Sequence, residues 1–178
     1  MVYVTLADGF EEIEAITPID ILRRADIAVT TLSISDNLTV TGAHGICVTA
    51  NKTMSQINPQ DMEALILPGG AGHELLDASN EVHALINYAL SNNLYIAAIC
   101  AAPSILGKKM LLDGKNATCF PGFEQFLYGA NIKADKVVTD GKIITAKGAG
   151  AAAEFGFEIC SLLKGNDTAE ALRKIMQY

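Results

Sequence analysis

The chain has 178 residues, half of them apolar and 19% charged, with a formal net charge of −7. That length suits a single domain, residues 1–178, whose core needs no disulfide or metal to hold it. Basic residues form nothing larger than pairs such as Arg23-Arg24 and Lys108-Lys109, and there is no Trp, so nucleic-acid binding and a base-stacking platform are both disfavoured.

The apolar runs are strand-length and broken by polar residues, well short of a membrane span, so no membrane association is expected. Val2-Tyr3-Val4-Thr5-Leu6 follows Met1 with no basic segment, and a soluble, cytoplasmic protein is the expectation. The four cysteines, at 47, 100, 119 and 160, show no CxxC spacing and have three histidines for company. Neither a zinc site nor a disulfide framework is suggested, and no cofactor is expected.

In chain order, the first strand ends at Leu6, Ala7-Asp8-Gly9 makes a loop, and a helix covers about Glu11 to Ala25 with Ile13, Ile16, Ile19 and Leu22 on one stripe. Pro18, following Thr17, predicts a kink or restart within it. Ile27 to Ile34 reads as a strand, and Leu38 to Thr49 as a peripheral hairpin turning around Gly42 to Gly45. Ala64-Leu65-Ile66-Leu67 is the continuous apolar run of a buried central strand, stopping at Pro68-Gly69-Gly70. Ser79 or Asn80 caps a helix to Asn93, and Leu94 to Ile99 is a second central strand ending at Cys100. A helix starts around Ala101-Ala102-Pro103-Ser104, a strand is expected at Ala117 to Phe120, and Val137 to Ala146 forms a hairpin closed by Asp140-Gly141. Helices at about Ala151 to Lys164 and Asp167 to Gln177 finish the chain. Strands alternating with helices in this way predict an α/β fold with a mainly parallel sheet.

A thiol placed between a buried strand and an immediately following helix has two readings. Helix-end amides would stabilise the thiolate of Cys100 and lower its pKa, making a nucleophile; otherwise it is a small buried hydrophobe. Gly69-Gly70 also ends a central strand, so its backbone N–H is available as an oxyanion donor beside Cys100, at the strand carboxyl ends where ligands gather.

Four segments carry a family resemblance: Gly9-Phe10-Glu11-Glu12-Ile13-Glu14 with Pro18, Asp20 and Arg23-Arg24-Ala25; Leu67-Pro68-Gly69-Gly70; Ala97-Ala98-Ile99-Cys100-Ala101-Ala102-Pro103; and Ile144-Thr145-Ala146-Lys147-Gly148. In that order they resemble the ThiJ/PfpI family, which includes a protein deglycase and a bacterial chaperone branch. The resemblance implies a flavodoxin-like three-layer α/β/α sandwich, similar to class I glutamine amidotransferases, with Cys100 at a nucleophile elbow. It implies Glu14 as the carboxylate beside the sulfur, Gly70 and Ala101 as oxyanion donors, and a homodimer. A carboxylate against a thiolate is disfavoured by like charge, so Glu14 is expected to keep its proton and hydrogen-bond to sulfur, while Glu11 and Glu12 read as solvated carboxylates at a helix start.

Many family members place a histidine where this chain has Phe120, in Cys119-Phe120-Pro121, which weakens the peptidase reading. Gly69, Arg24, His44 and His73 are candidate pocket residues: His73 lies just beyond the glycine loop, and His44 lies in the hairpin where relatives often carry an arginine. Each histidine reads alternatively as an exposed loop residue. Cys160 and Cys47 are expected to be packed, and Cys119 to point away from the face that Phe120 presents.

The function implied is a thiol-dependent glyoxalase or deglycase acting on small aldehydes or glycated protein, with Cys100 prone to oxidation. The alternatives are a redox-regulated chaperone or sensor without turnover and, third, a cysteine peptidase or amidase.

Overall fold

A computed structural model describes all 178 residues. The strands are β1 (Val2–Leu6), β2 (Val29–Ser33), β3 (Thr39–Thr41), β4 (Cys47–Thr49), β5 (Lys52–Thr53), β6 (Ala64–Leu67), β7 (Tyr95–Ile99), β8 (Asn116–Ala117), β9 (Asn131–Ile132), β10 (Val137–Asp140) and β11 (Ile143–Ala146). The α-helices are α1 (Glu12–Arg24), α2 (His73–Ala78), α3 (Asn80–Ser91), α4 (Pro103–Lys108), α5 (Ala152–Lys164) and α6 (Asn166–Ile175). Seven strands form one sheet in the order β10-β11-β7-β6-β1-β2-β5, parallel except for the β10–β11 pair. Helices cover both faces, giving the flavodoxin-like α/β sandwich.

Alternation along the strands divides the core. Val2, Val4 and Leu6 with Ala64, Ile66, Ala97 and Ile99 pack against α1, α5 and α6. Tyr3, Leu65, Leu67, Ile96 and Ala98 face α3 and α4. Strands buried on both sides must be apolar throughout, which is why Ala64–Leu67 reads as an unbroken run. Ser79 caps α3, its Oγ accepting from Val82 N–H at 3.3 Å. No helix is long and apolar enough to cross a membrane.

The break expected at Pro18 does not occur: α1 runs through it from Glu12 to Arg24. Pro18 is buried where α1 crosses α5 at Gly156, so closely that a methyl on Gly156 would stand 3.0 Å from the Pro18 Cα. Tertiary packing there outweighs the missing N–H. The expected strand at Ala117 to Phe120 shortens to Asn116–Ala117, paired with Asn131–Ile132.

From β1 the chain steps to β2 on one side, whereas β6 and β7 lie on the other. The order therefore reverses between β1 and β6, and this topological switch opens a crevice at the carboxyl ends of the strands. The loop after β1, the glycines after β6 and the cysteine after β7 all converge there.

Candidate active site

Cys100 leaves β7 in a left-handed backbone conformation, φ 66°, a region that non-glycine residues seldom occupy. Its own N–H donates to Ala146 O at 2.9 Å, and its carbonyl accepts from Phe120 N–H at 2.8 Å. The main chain is thus pinned from β11 and from the loop after β8, and the half-buried thiol stands at a sharp elbow.

The sulfur meets three groups. The backbone amides of Gly70 and Ala101 and the Glu14 carboxyl all stand close enough to bear on its ionisation, the amides favouring the thiolate and the carboxyl opposing it. Gly69 makes the closeness possible, since a methyl on it would stand 2.5 Å from both Cys100 Cβ and Glu14 Oε2. Gly70 adopts φ 79° and is backed by the Gly9-Phe10-Glu11 main chain, so the loop after β6 is glycine for steric reasons on both flanks.

Glu14 is 1% exposed. Its Oε2 accepts from Gly69 N–H at 3.0 Å, and the Ala149 amide also favours the charged carboxyl. Burial pushes the carboxyl up to about 7; the nearby Glu11 adds to the rise, while the thiol and the two amides oppose it. Burial likewise pushes the Cys100 thiol up to about 12, with Glu14 adding to the rise and the Gly70 and Ala101 amides pulling against it. The two groups therefore titrate as a pair: an ionised Glu14 suppresses the thiolate, and a protonated one removes that repulsion.

These observations correct the expectation of a thiol lowered by a helix end. Residues 101 and 102 form a turn, and α4, Pro103–Lys108, has only 6 residues. The positive surroundings of the sulfur come from single amides on two different loops.

The structure brings Glu14, Gly69, Gly70, Cys100 and Ala101 together. Arg24 does not join them, because it follows Glu14 by ten residues on a continuous helix, about 15 Å along the axis at ~1.5 Å per residue. It pairs instead with Asp20 at 2.7 Å on the surface. His44 is exposed at its side chain, with Nδ1 2.9 Å from Glu12 Oε2 and 3.6 Å from Glu11 Oε2. Glu12, expected to be solvated, is 7% exposed; it also accepts from His44 N–H at 2.8 Å. The His44 contacts hold its carboxyl down at about 2 against the effect of burial.

His73 is 8% exposed rather than a free loop residue. Cys47 is exposed, contrary to expectation, because β3 and β4 form a separate two-stranded sheet that lies off the central one. Cys119 and Cys160 are buried. Phe120 is 47% exposed while Cys119 is buried, although both lie beyond the end of β8 and so outside strand alternation. Its ring borders Gly148, which in turn borders Glu14. The sequence assigns no role to the Gly148-Ala149 loop beside Glu14; its only signal is the Lys147-Gly148 end of the fourth resemblance segment.

Residues 1–162 match the model of the DJ-1/PfpI family. The Drosophila melanogaster protein dj-1beta is 34% identical over 174 residues, covering 96% of this chain and 93% of that protein. The Arabidopsis thaliana protein DJ-1 homolog B is 34% identical over 171 residues, but this chain spans only 39% of its length. A Pyrococcus horikoshii protein named as a deglycase is 29% identical over 143 residues, 79% of this chain and 86% of its own. Among solved structures, oxidized Toxoplasma gondii DJ-1 superposes with a TM-score of 0.95 at 31% identity, covering 99% of this chain and 97% of that one. By the match of sequence from end to end and by the shared architecture, this chain belongs to the DJ-1/PfpI family.

Proposed function

We propose that the protein is a cofactor-independent thiol enzyme that converts small 2-oxoaldehydes such as methylglyoxal to 2-hydroxy acids. The observation that carries this reading is the placement of a buried carboxyl, poised near neutrality at about 7, against a thiol that two backbone amides address. A carboxyl so tuned can hold and release a proton at working pH.

Ionised Glu14 takes the Cys100 thiol proton as the sulfur adds to the aldehyde carbon, breaking S–H and forming a C–S bond, and passes that proton to the carbonyl oxygen to give a hemithioacetal. The Gly70 and Ala101 amides hold the oxygen while it is anionic. Glu14, now ionised, removes the hydrogen from that carbon and returns it to the neighbouring carbon, while the hydroxyl proton passes between the two oxygens. The product is a 2-hydroxy thioester. Water cleaves it, releasing the hydroxy acid and restoring the thiol, so the aldehyde and one water balance the acid with no redox partner. Glycated protein thiols and amines belong to the same chemical class, in line with the deglycase name of the Pyrococcus relative. The homodimeric state and cytoplasmic setting implied by the resemblance go with this reading.

A peptidase or amidase reaction needs a general acid for a leaving amine, and the place for an imidazole is taken by Phe120. A redox-responsive chaperone or sensor without turnover is favoured by one observation: while Glu14 is ionised the thiol stays protonated, up to about 12.

The test is methylglyoxal consumption and hydroxy-acid formation, followed by chromatography, for the wild type, Cys100→Ala and Glu14→Gln. Formation by the wild type alone is expected. Equal formation by Cys100→Ala overturns the reading. If no variant forms acid while Cys100→Ala still suppresses client aggregation, the chaperone reading replaces it.

A further inference from the structure

The peptide between Gly69 and Gly70 must keep one orientation for the Gly70 N–H to face sulfur. Its carbonyl end is held directly, as Gly69 O accepts from Glu11 N–H at 3.1 Å. Gly70 itself sits at φ 79° against the Gly9-Phe10-Glu11 main chain, and the hold on its own carbonyl sets how that glycine is seated.

The next carbonyl, that of Gly70, is held by one residue twice. It accepts from His73 N–H at 3.2 Å and lies 2.8 Å from His73 Nδ1. A carbonyl cannot donate, so Nδ1 carries the hydrogen and the tautomer is set. The imidazole is itself fixed: it is 8% exposed and meets the edge of Phe123 with ring centroids 5.3 Å apart, inclined at 82°. An aliphatic side chain here would fill the same space and leave Gly70 O with its main-chain donor alone.

We propose that His73 is a positioning residue for Cys100, its Nδ1–H clamping the Gly70 carbonyl so that the Gly70 N–H stays aimed at the sulfur. The clamp rests on the reading of Cys100 as the reactive group, whatever that group acts on. It never touches the substrate, and the imidazole does no proton transfer.

The test compares His73→Asn, His73→Gln and Phe123→Leu by the pH profile of Cys100 alkylation with iodoacetamide, each peptide read by mass spectrometry. Asn carries an N–H where Nδ1 stands and keeps the clamp. Gln places its amide farther out and loses it at nearly equal size and polarity. Phe123→Leu removes the ring packing and spares the hydrogen bond.

The expected result is a loss of roughly three- to tenfold in alkylation rate at pH 7 for His73→Gln, the scale of one hydrogen bond. The midpoint of the profile moves upward with it. His73→Asn and Phe123→Leu follow the wild-type profile, even where Phe123→Leu lowers the melting temperature. A wild-type profile for His73→Gln overturns the proposal, as does a loss in His73→Asn or Phe123→Leu equal to that in His73→Gln. Alkylation reports on the sulfur alone, so these outcomes stand apart from whether methylglyoxal is consumed.

Discussion

Replacing Glu14 with Gln tests the coupling on which the site's chemistry depends. In the wild type the pair loses one proton near 7, the value to which burial lifts Glu14, and holds the second until about 12. Two unit charges ~4 Å apart at an effective dielectric of ~20 repel by ~4 kcal/mol. At ~1.4 kcal/mol per pH unit, that repulsion accounts for at most about 3 pH units. Burial is the leading cause of the thiol's rise, so removing the carboxylate should lower the upper ionisation by ~1–3 pH units. It should also erase the inflection near pH 7. Iodoacetamide alkylation of Cys100, followed from pH 5 to 11, reads both changes. A Glu14→Gln profile that keeps the inflection, or that coincides with the wild type, refutes the argument.

The same substitution has a signature in stability. A carboxyl whose folded pKa is raised from 4.5 to about 7 binds more protons folded than unfolded between those values, so stability falls as pH rises through that window. Above it the ionised Glu14 costs roughly 3 kcal/mol. Glu14→Gln should therefore raise the melting temperature at pH 8 more than at pH 4.5.

Gly69→Ala is expected to cost at least ~2 kcal/mol of stability by calorimetry, since its methyl would lie 2.5 Å from both Cys100 Cβ and Glu14 Oε2. It should also slow Cys100 alkylation by an order of magnitude or more; wild-type stability and reactivity together would contradict the packing described. Under mild peroxide near pH 7, mass spectrometry should find two added oxygens on Cys100 first, because the Gly70 and Ala101 amides favour its thiolate once Glu14 holds its proton. The exposed Cys47 is the competitor, and its preferential oxidation, or that of buried Cys119, counts against a specially reactive sulfur.

The sequence by itself determined the layered α/β architecture, because strands buried on both faces must be apolar runs such as Ala64–Leu67 and amphipathic helices must cover them. It also placed Cys100 at a strand end and marked Gly69-Gly70 as a point of close approach, since local order and glycine chemistry are written in neighbouring residues. Only the tertiary structure decided that α1 passes Pro18 unbroken, that Arg24 lies a helix-length from the sulfur and that Glu12 is buried under His44. Cys47 was left exposed and His73 set on the Gly70 carbonyl by the same long-range packing. Each of these depends on contacts between segments distant in the chain, such as Pro18 against Gly156 or Glu14 against Gly69. Burial and hydrogen-bond partners set a titrating group's behaviour, and neither is visible until those segments have packed together.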